Sequence, residues 1–199
     1  MSGRLRDPRV GRDILVGTAA GICVAIIGCV VVLAPSMLGY PPAVPRGFNT
    51  ESLLSTRQAI SVLLRMPPQA LLNGMLTTLA FALIRMAVKR TWIATLLTIV
   101  LGTFVSVSQP GAQQLWLNIV YAVAVSAVYI AVLVNFGMLP LMMTFLTNYI
   151  ASNIGLTADV SKLYAPTAIW LMALVIAMAA FGYYASRAGE PLFGKLAET

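Results

Sequence analysis

Of 199 residues, 59% are apolar and only 10% charged, and the mean hydropathy is +0.88. A soluble domain carries about 25% charged residues, so this composition excludes a water-soluble globular domain. It predicts an all-α polytopic membrane bundle. The net charge of +7 belongs to basic residues that flank apolar runs and do not interleave with aromatics on a polar face. That pattern reads as membrane anchoring, with no nucleic-acid partner.

The chain begins with a basic segment, 1–13, in which Arg4, Arg6, Arg9 and Arg12 stand beside Asp7 and Asp13. Pro8 is expected to prevent an ordinary helix interior there, and Gly11 to loosen the approach to the first span. The apolar run 14–38 follows. Its two cysteines, Cys23 and Cys29, lie six residues apart, about 240° around a helix, so they cannot pair within it. Gly17 and Gly21 have the G-x-x-x-G spacing that lets helices approach closely. They are read as a packing contact inside the bundle, with a homodimer contact as the alternative.

The longest connection covers 39–68. Pro41, Pro42 and Pro45 exclude a regular helix from its first part. ESLLSTRQAISVLLR then reads as an amphipathic helix with Ser55 and Gln58 at capping-box spacing, lying along the outer interface or over the bundle mouth. Pro67 and Pro68 are expected to stop it before the second span, 69–88. Further spans are predicted at 91–107, 113–136, 139–156 and 166–186, followed by a tail, 187–199. With both termini cytoplasmic, Arg4, Arg6, Arg9, Arg12, Arg85, Lys89, Arg90, Arg187 and Lys195 lie inside. Arg46, Arg57, Arg65 and Lys162 then lie outside, so the lysine and arginine bias favours this orientation. RMAVKRTW, between the second and third spans, is the strongest inner marker. Trp92, Trp116 and Trp170 fall near span ends, as interfacial tryptophans do.

Every carboxylate falls outside the spans, which argues against a proton relay at membrane depth. The chain has no histidine, which removes histidine metal ligation, general-base chemistry and pH switching. No catalytic serine elbow, metal cluster, phosphate-binding glycine loop or H-R-D triplet is present, so no catalytic, cofactor or metal site is assigned. Polar groups within the spans are few. Asn118, Tyr121 and Tyr129 share one face of the fourth span, Asn73 and Thr77 one face of the second, and Asn148 and Tyr149 lie on the fifth. Such groups either form hydrogen bonds between helices or line a polar cavity.

Three stretches, NFGMLPLMMTFLTNY, LTADVSKLYAPTAI and FGYYASRAGEPLFG, together resemble the C-terminal membrane region of bacterial, especially acidobacterial, serine/threonine protein kinases. In that family a Phe-Gly pair opens an apolar run, an L-T-x-D-x-S-x-x-Y-A loop follows, and the last helix closes in a tail such as A-G-x-P-L-F-G. The opening RLRDPRVGRD fits the same pattern. The resemblance implies a module in the bacterial inner membrane whose partners are the lipid bilayer and a cytoplasmic kinase domain that would precede residue 1. It carries over no catalytic residue, because the kinase motifs are missing from these 199 residues. The expected function is therefore a non-catalytic membrane module that anchors, or senses for, a kinase-type signalling domain. The alternative is a small transporter, channel or substrate-binding subunit built on the polar face of the fourth span.

Overall fold

Hydrocarbon offers the backbone no hydrogen-bond partner, so an apolar chain of this kind must satisfy its peptide groups within helices. The computed structural model describes residues 8–37, 39, 56–107, 115–153 and 165–186 and forms six helices. They are α1 (Pro8–Met37), α2 (Thr56–Val88), α3 (Thr91–Val107), α4 (Leu115–Phe136), α5 (Met138–Asn153) and α6 (Ala165–Ser186). Four are long and apolar enough to cross a membrane: α1, α2, α4 and α6. The 17 residues of α3 and 16 of α5 give lengths of about 25 Å at 1.5 Å per residue.

Two sequence expectations are overturned. The basic strip is not a loose approach to the membrane: α1 starts at Pro8 and carries Arg9, Arg12 and Asp13 on its first turns. Nor do Pro67 and Pro68 end a separate interfacial helix. They lie inside the 33-residue α2, which runs from the expected amphipathic stretch straight into the second span. The two prolines remove the N–H groups that would bond the Leu63 and Leu64 carbonyls. Tertiary contacts hold the helix on both sides of that gap. Met66 is buried with Ile150 of α5 and Leu171 of α6, with Val62 and Leu63 packed against them, and Ala70 joins the main core. Ser55 and the Gln58 side chain lie outside the described part, as do 154–156 of the expected fifth span.

The short α5 is the hub, touching α1, α2, α4 and α6. Its Pro140, Leu141, Thr144, Thr147 and Ile150 are fully buried. Helix α1 lies against it through Gly17 and Gly21. A Cβ at Gly17 would fall 2.5 Å from Met143 Cβ and from the Pro140 carbonyl oxygen; one at Gly21 would fall 2.6 Å from Thr147 Cβ. The glycine pair thus packs within the bundle, and the face it would offer to a second copy of the chain is occupied by α5. A similar approach joins α1 to α6, where a Cβ on Gly11 would lie 2.2 Å from the Ser186 amide nitrogen and one on Gly182 would lie 3.1 Å from the Gly11 carbonyl oxygen.

These contacts fix relative directions. The start of α1 meets the end of α6 at Gly11 and Ser186, and the end of α4 through Arg12, whose guanidinium lies 5.6 Å from the Phe136 ring centre. Phe81, near the end of α2, shares a core with Ala94, Leu133 and Leu141. One end of the bundle therefore gathers Arg9, Arg12, Asp13, Arg85, Lys89 and Arg90. Among the described residues, only Arg57 and Arg65 are charged towards the other end. The flanks expose apolar side chains, including Ile26, Val30, Leu72, Leu76, Val100, Phe104 and Ile176.

The close approaches give a graded expectation. Gly17→Ala and Gly21→Ala should each destabilise the bundle by about 1–3 kcal/mol, as overpacking does. Gly28→Ala should be neutral or slightly stabilising, because a Cβ there meets only Tyr121 at 3.8 Å. Reversible unfolding in mixed detergent micelles, followed by circular dichroism, measures all three.

Candidate functional site

Adjacent residues on a helix point about 100° apart, so Asn148 and Tyr149 of α5 serve different neighbours. Asn148 Nδ2 donates to the Tyr129 hydroxyl of α4 at 3.1 Å, while Ser152 Oγ donates to Asn148 Oδ1 at 3.3 Å. On the other side, Asn73 Nδ2 of α2 donates to the Tyr149 hydroxyl. Phe145, one turn earlier on α5, lies between the phenols. Its ring centre is 4.2 Å from that of Tyr129 and 6.2 Å from that of Tyr149. The result is a neutral polar and aromatic seam that ties α2, α4 and α5 together. It contains amides, phenols and a phenyl ring, with no ionised group, so its capacity is for hydrogen bonding and not for acid–base chemistry at neutral pH.

The structure thus brings Asn73, Tyr129 and Asn148 into contacts between helices. It does not do so for Thr77, whose hydroxyl donates to the Asn73 carbonyl on its own helix at 2.7 Å. The shared face on α4 also divides: Tyr129 turns to α5, whereas Tyr121 approaches α1 at Gly28. Asn118 is half-buried and engaged in a contact of its own. Of the expected inner anchors, Arg9, Arg12, Arg85, Lys89 and Arg90 are exposed, while Arg4, Arg6 and Arg187 lie outside the described residues. The sequence reading placed Asn148 and Tyr149 together on the fifth span without separating their partners, and it omitted Phe145 altogether. The signal for Tyr149 was its position next to Asn148, which forces the two side chains towards different helices. Phe145 gave none, since an apolar residue in an apolar span is unremarkable.

Most hydroxyls in the spans are hidden by their own helices. Thr18 donates to the Ile14 carbonyl at 2.8 Å, Thr98 to Ala94 at 2.7 Å, and Thr144 to Pro140 at 2.7 Å. This arrangement satisfies the group without a neighbour. Thr147 is different: its Oγ1 is buried without a hydrogen-bond partner among the described residues.

Two outcomes follow. In double-mutant cycles, Asn73→Ala with Tyr149→Phe, and Asn148→Ala with Tyr129→Phe, should each show a coupling of about 0.6–1.7 kcal/mol, the range of hydrogen bonds between membrane helices. Thr147→Val keeps the shape of the side chain and removes the orphaned hydroxyl. It should stabilise the bundle by about 1 kcal/mol, whereas Thr144→Val, which loses a made bond, should bring no gain. Detergent unfolding midpoints compare the two threonine variants.

Comparison with protein-family models, with curated proteins and with solved structures finds no match for this chain.

Proposed function

We propose that the chain is a six-pass, non-catalytic module of the bacterial inner membrane, its basic end in the cytoplasm, which anchors or senses for a serine/threonine kinase-type domain on that side. The observation that carries the membrane reading is the segregation of charge along the bundle. Five basic side chains, Arg9, Arg12, Arg85, Lys89 and Arg90, project at the end where α1 begins and α6 stops. Between the two ends lie apolar flanks. A bilayer with a positive-inside bias asks for this distribution. Helices α3 and α5 are short for a full crossing, but they alternate in direction with their neighbours and sit among longer helices, and α5 in particular is shielded from lipid.

The signalling part rests on the resemblance of the N-F-G-M-L-P, L-T-A-D-V-S and A-G-E-P-L-F-G stretches, with the basic strip as the junction to a cytoplasmic domain. The architecture suits that role, because the start of α1 is braced by α4 through Arg12 and by α6 through Gly11. A force applied at residue 8 would thus reach two other helices at once. The transport alternative needs polar groups of α4 turned towards a solute, and Tyr129 is instead engaged with Asn148.

Topology mapping tests the membrane arrangement. Single cysteines introduced at positions 3, 90 and 196 in a Cys23→Ser/Cys29→Ser background should be protected from an impermeant maleimide in intact cells. Cysteines at 47, 111 and 160 should react. Labelling at position 90 together with protection at 111 would overturn the orientation. For the signalling role, the tagged chain purified from its native membrane should bring with it ATP-dependent serine or threonine phosphorylation. Solute flux through liposomes holding the chain alone, with no such activity in the purified material, would favour transport instead.

A further inference from the structure

The turn between α2 and α3 carries more positive charge than its backbone requires. Arg85, Lys89 and Arg90 fall within six residues, all are exposed, and none forms an ion pair among the described residues. Lys89 has a φ of 59°, and its N–H donates to the Arg85 carbonyl at 2.9 Å. That is the left-handed helix cap for which glycine is the usual residue. The equivalent link between α4 and α5 uses Gly137, with a φ of 98° and an N–H bond to the Leu133 carbonyl at 3.0 Å. The α2–α3 turn thus accepts a strained backbone while presenting an ammonium group.

Arg85 and Lys89, four residues apart, start from the same side of the helix end. Their flanks are apolar and open: Met86 is 71% exposed and Trp92 62%. Cations at the membrane boundary beside an exposed tryptophan and methionine match a single chemistry, an anionic phosphodiester joined to acyl chains. A soluble phosphate would use the charges and leave the apolar flanks unsatisfied.

We propose that the α2–α3 turn is a binding site for anionic phospholipid, with Arg85, Lys89 and Arg90 on the headgroup phosphate and Met86 and Trp92 against the glycerol and upper acyl region. The site rests on the membrane reading above but not on which side the turn faces.

The test uses the full chain carrying Trp116→Phe and Trp170→Phe, reconstituted into vesicles. Quenching of Trp92 by phosphatidylglycerol with brominated chains is compared with quenching by brominated phosphatidylcholine. The expected result is stronger quenching by the anionic lipid, with each basic side chain removed lowering that preference about fivefold. Arg85→Gln/Lys89→Gly/Arg90→Gln should show no preference. Equal quenching by the two lipids in the parent protein, or an unchanged preference in the triple variant, would overturn the site. No quenching by either lipid would instead overturn the membrane reading itself. Should the triple variant fail to fold, Lys89→Gly decides alone: it relieves the left-handed backbone, so it should melt no lower than the parent while losing about fivefold in preference. Full retention of the preference by that variant counts against the proposal. Excess inorganic phosphate should leave the preference intact; its abolition would assign the site to a soluble anion.

Discussion

The bundle depends on how closely α1 and α5 approach one another. Apolar side chains gain nothing by leaving lipid for a protein interior that is equally apolar, so helices in a bilayer associate through packing and polar contacts. Packing improves as backbones draw together, and Gly17 and Gly21 allow this for α1 and α5: atoms of α5 lie 2.5–2.6 Å from where their Cβ atoms would have been. Over the described residues, helix α5 is the shortest and the one most surrounded by protein. Anchoring it to α1, one of the two longest apolar spans, holds its described length of about 24 Å in place among helices able to cross a hydrocarbon layer about 30 Å thick.

With that helix fixed, the polar seam follows. Asn148 and Tyr149 must leave the central helix in two directions, and they meet Tyr129 and Asn73 on the two neighbours positioned to receive them. The seam selects rotation and register, since sliding α2 or α4 by one residue would carry a bond partner about 100° away. Glycine contacts tolerate small rotations; hydrogen bonds through amides and phenols tolerate far fewer. The two kinds of contact divide the work, proximity from α1 and register from α2 and α4. The hydroxyls that return to their own carbonyls take no part in it, which is why Thr77 shares a face with Asn73 yet joins nothing across the interface.

The membrane class and the helical fold were legible because hydropathy and length carry them: the described residues form six helices, four of them long and apolar enough to cross a membrane. What escaped depended on tertiary support. Pro67 and Pro68 are helix breakers in isolation, but Met66 and Ala70 are buried on either side of them and hold the backbone through the gap. In the site, the polar residues were visible while their pairing was not, since spacing defines a face of one helix and says nothing of the neighbour opposite. The glycine spacing could serve either a fold or a dimer; only the position of α5 separates the two.

The two tight links at the basic end make the same point about local rules. Both Gly137 and Lys89 close a helix with a left-handed residue whose N–H returns four residues back, so geometry alone would favour glycine at each. A side chain in that conformation costs about 1–2 kcal/mol, while a cation at a helix C-terminus regains about 0.3–1 kcal/mol from the macrodipole. The dipole therefore offsets only part of the strain, and Arg85, in the last turn of α2, already supplies a cation there. The remainder has no counterpart among the described residues, where Lys89 is exposed. At the site proposed above, an anionic lipid headgroup would offset it from outside the chain.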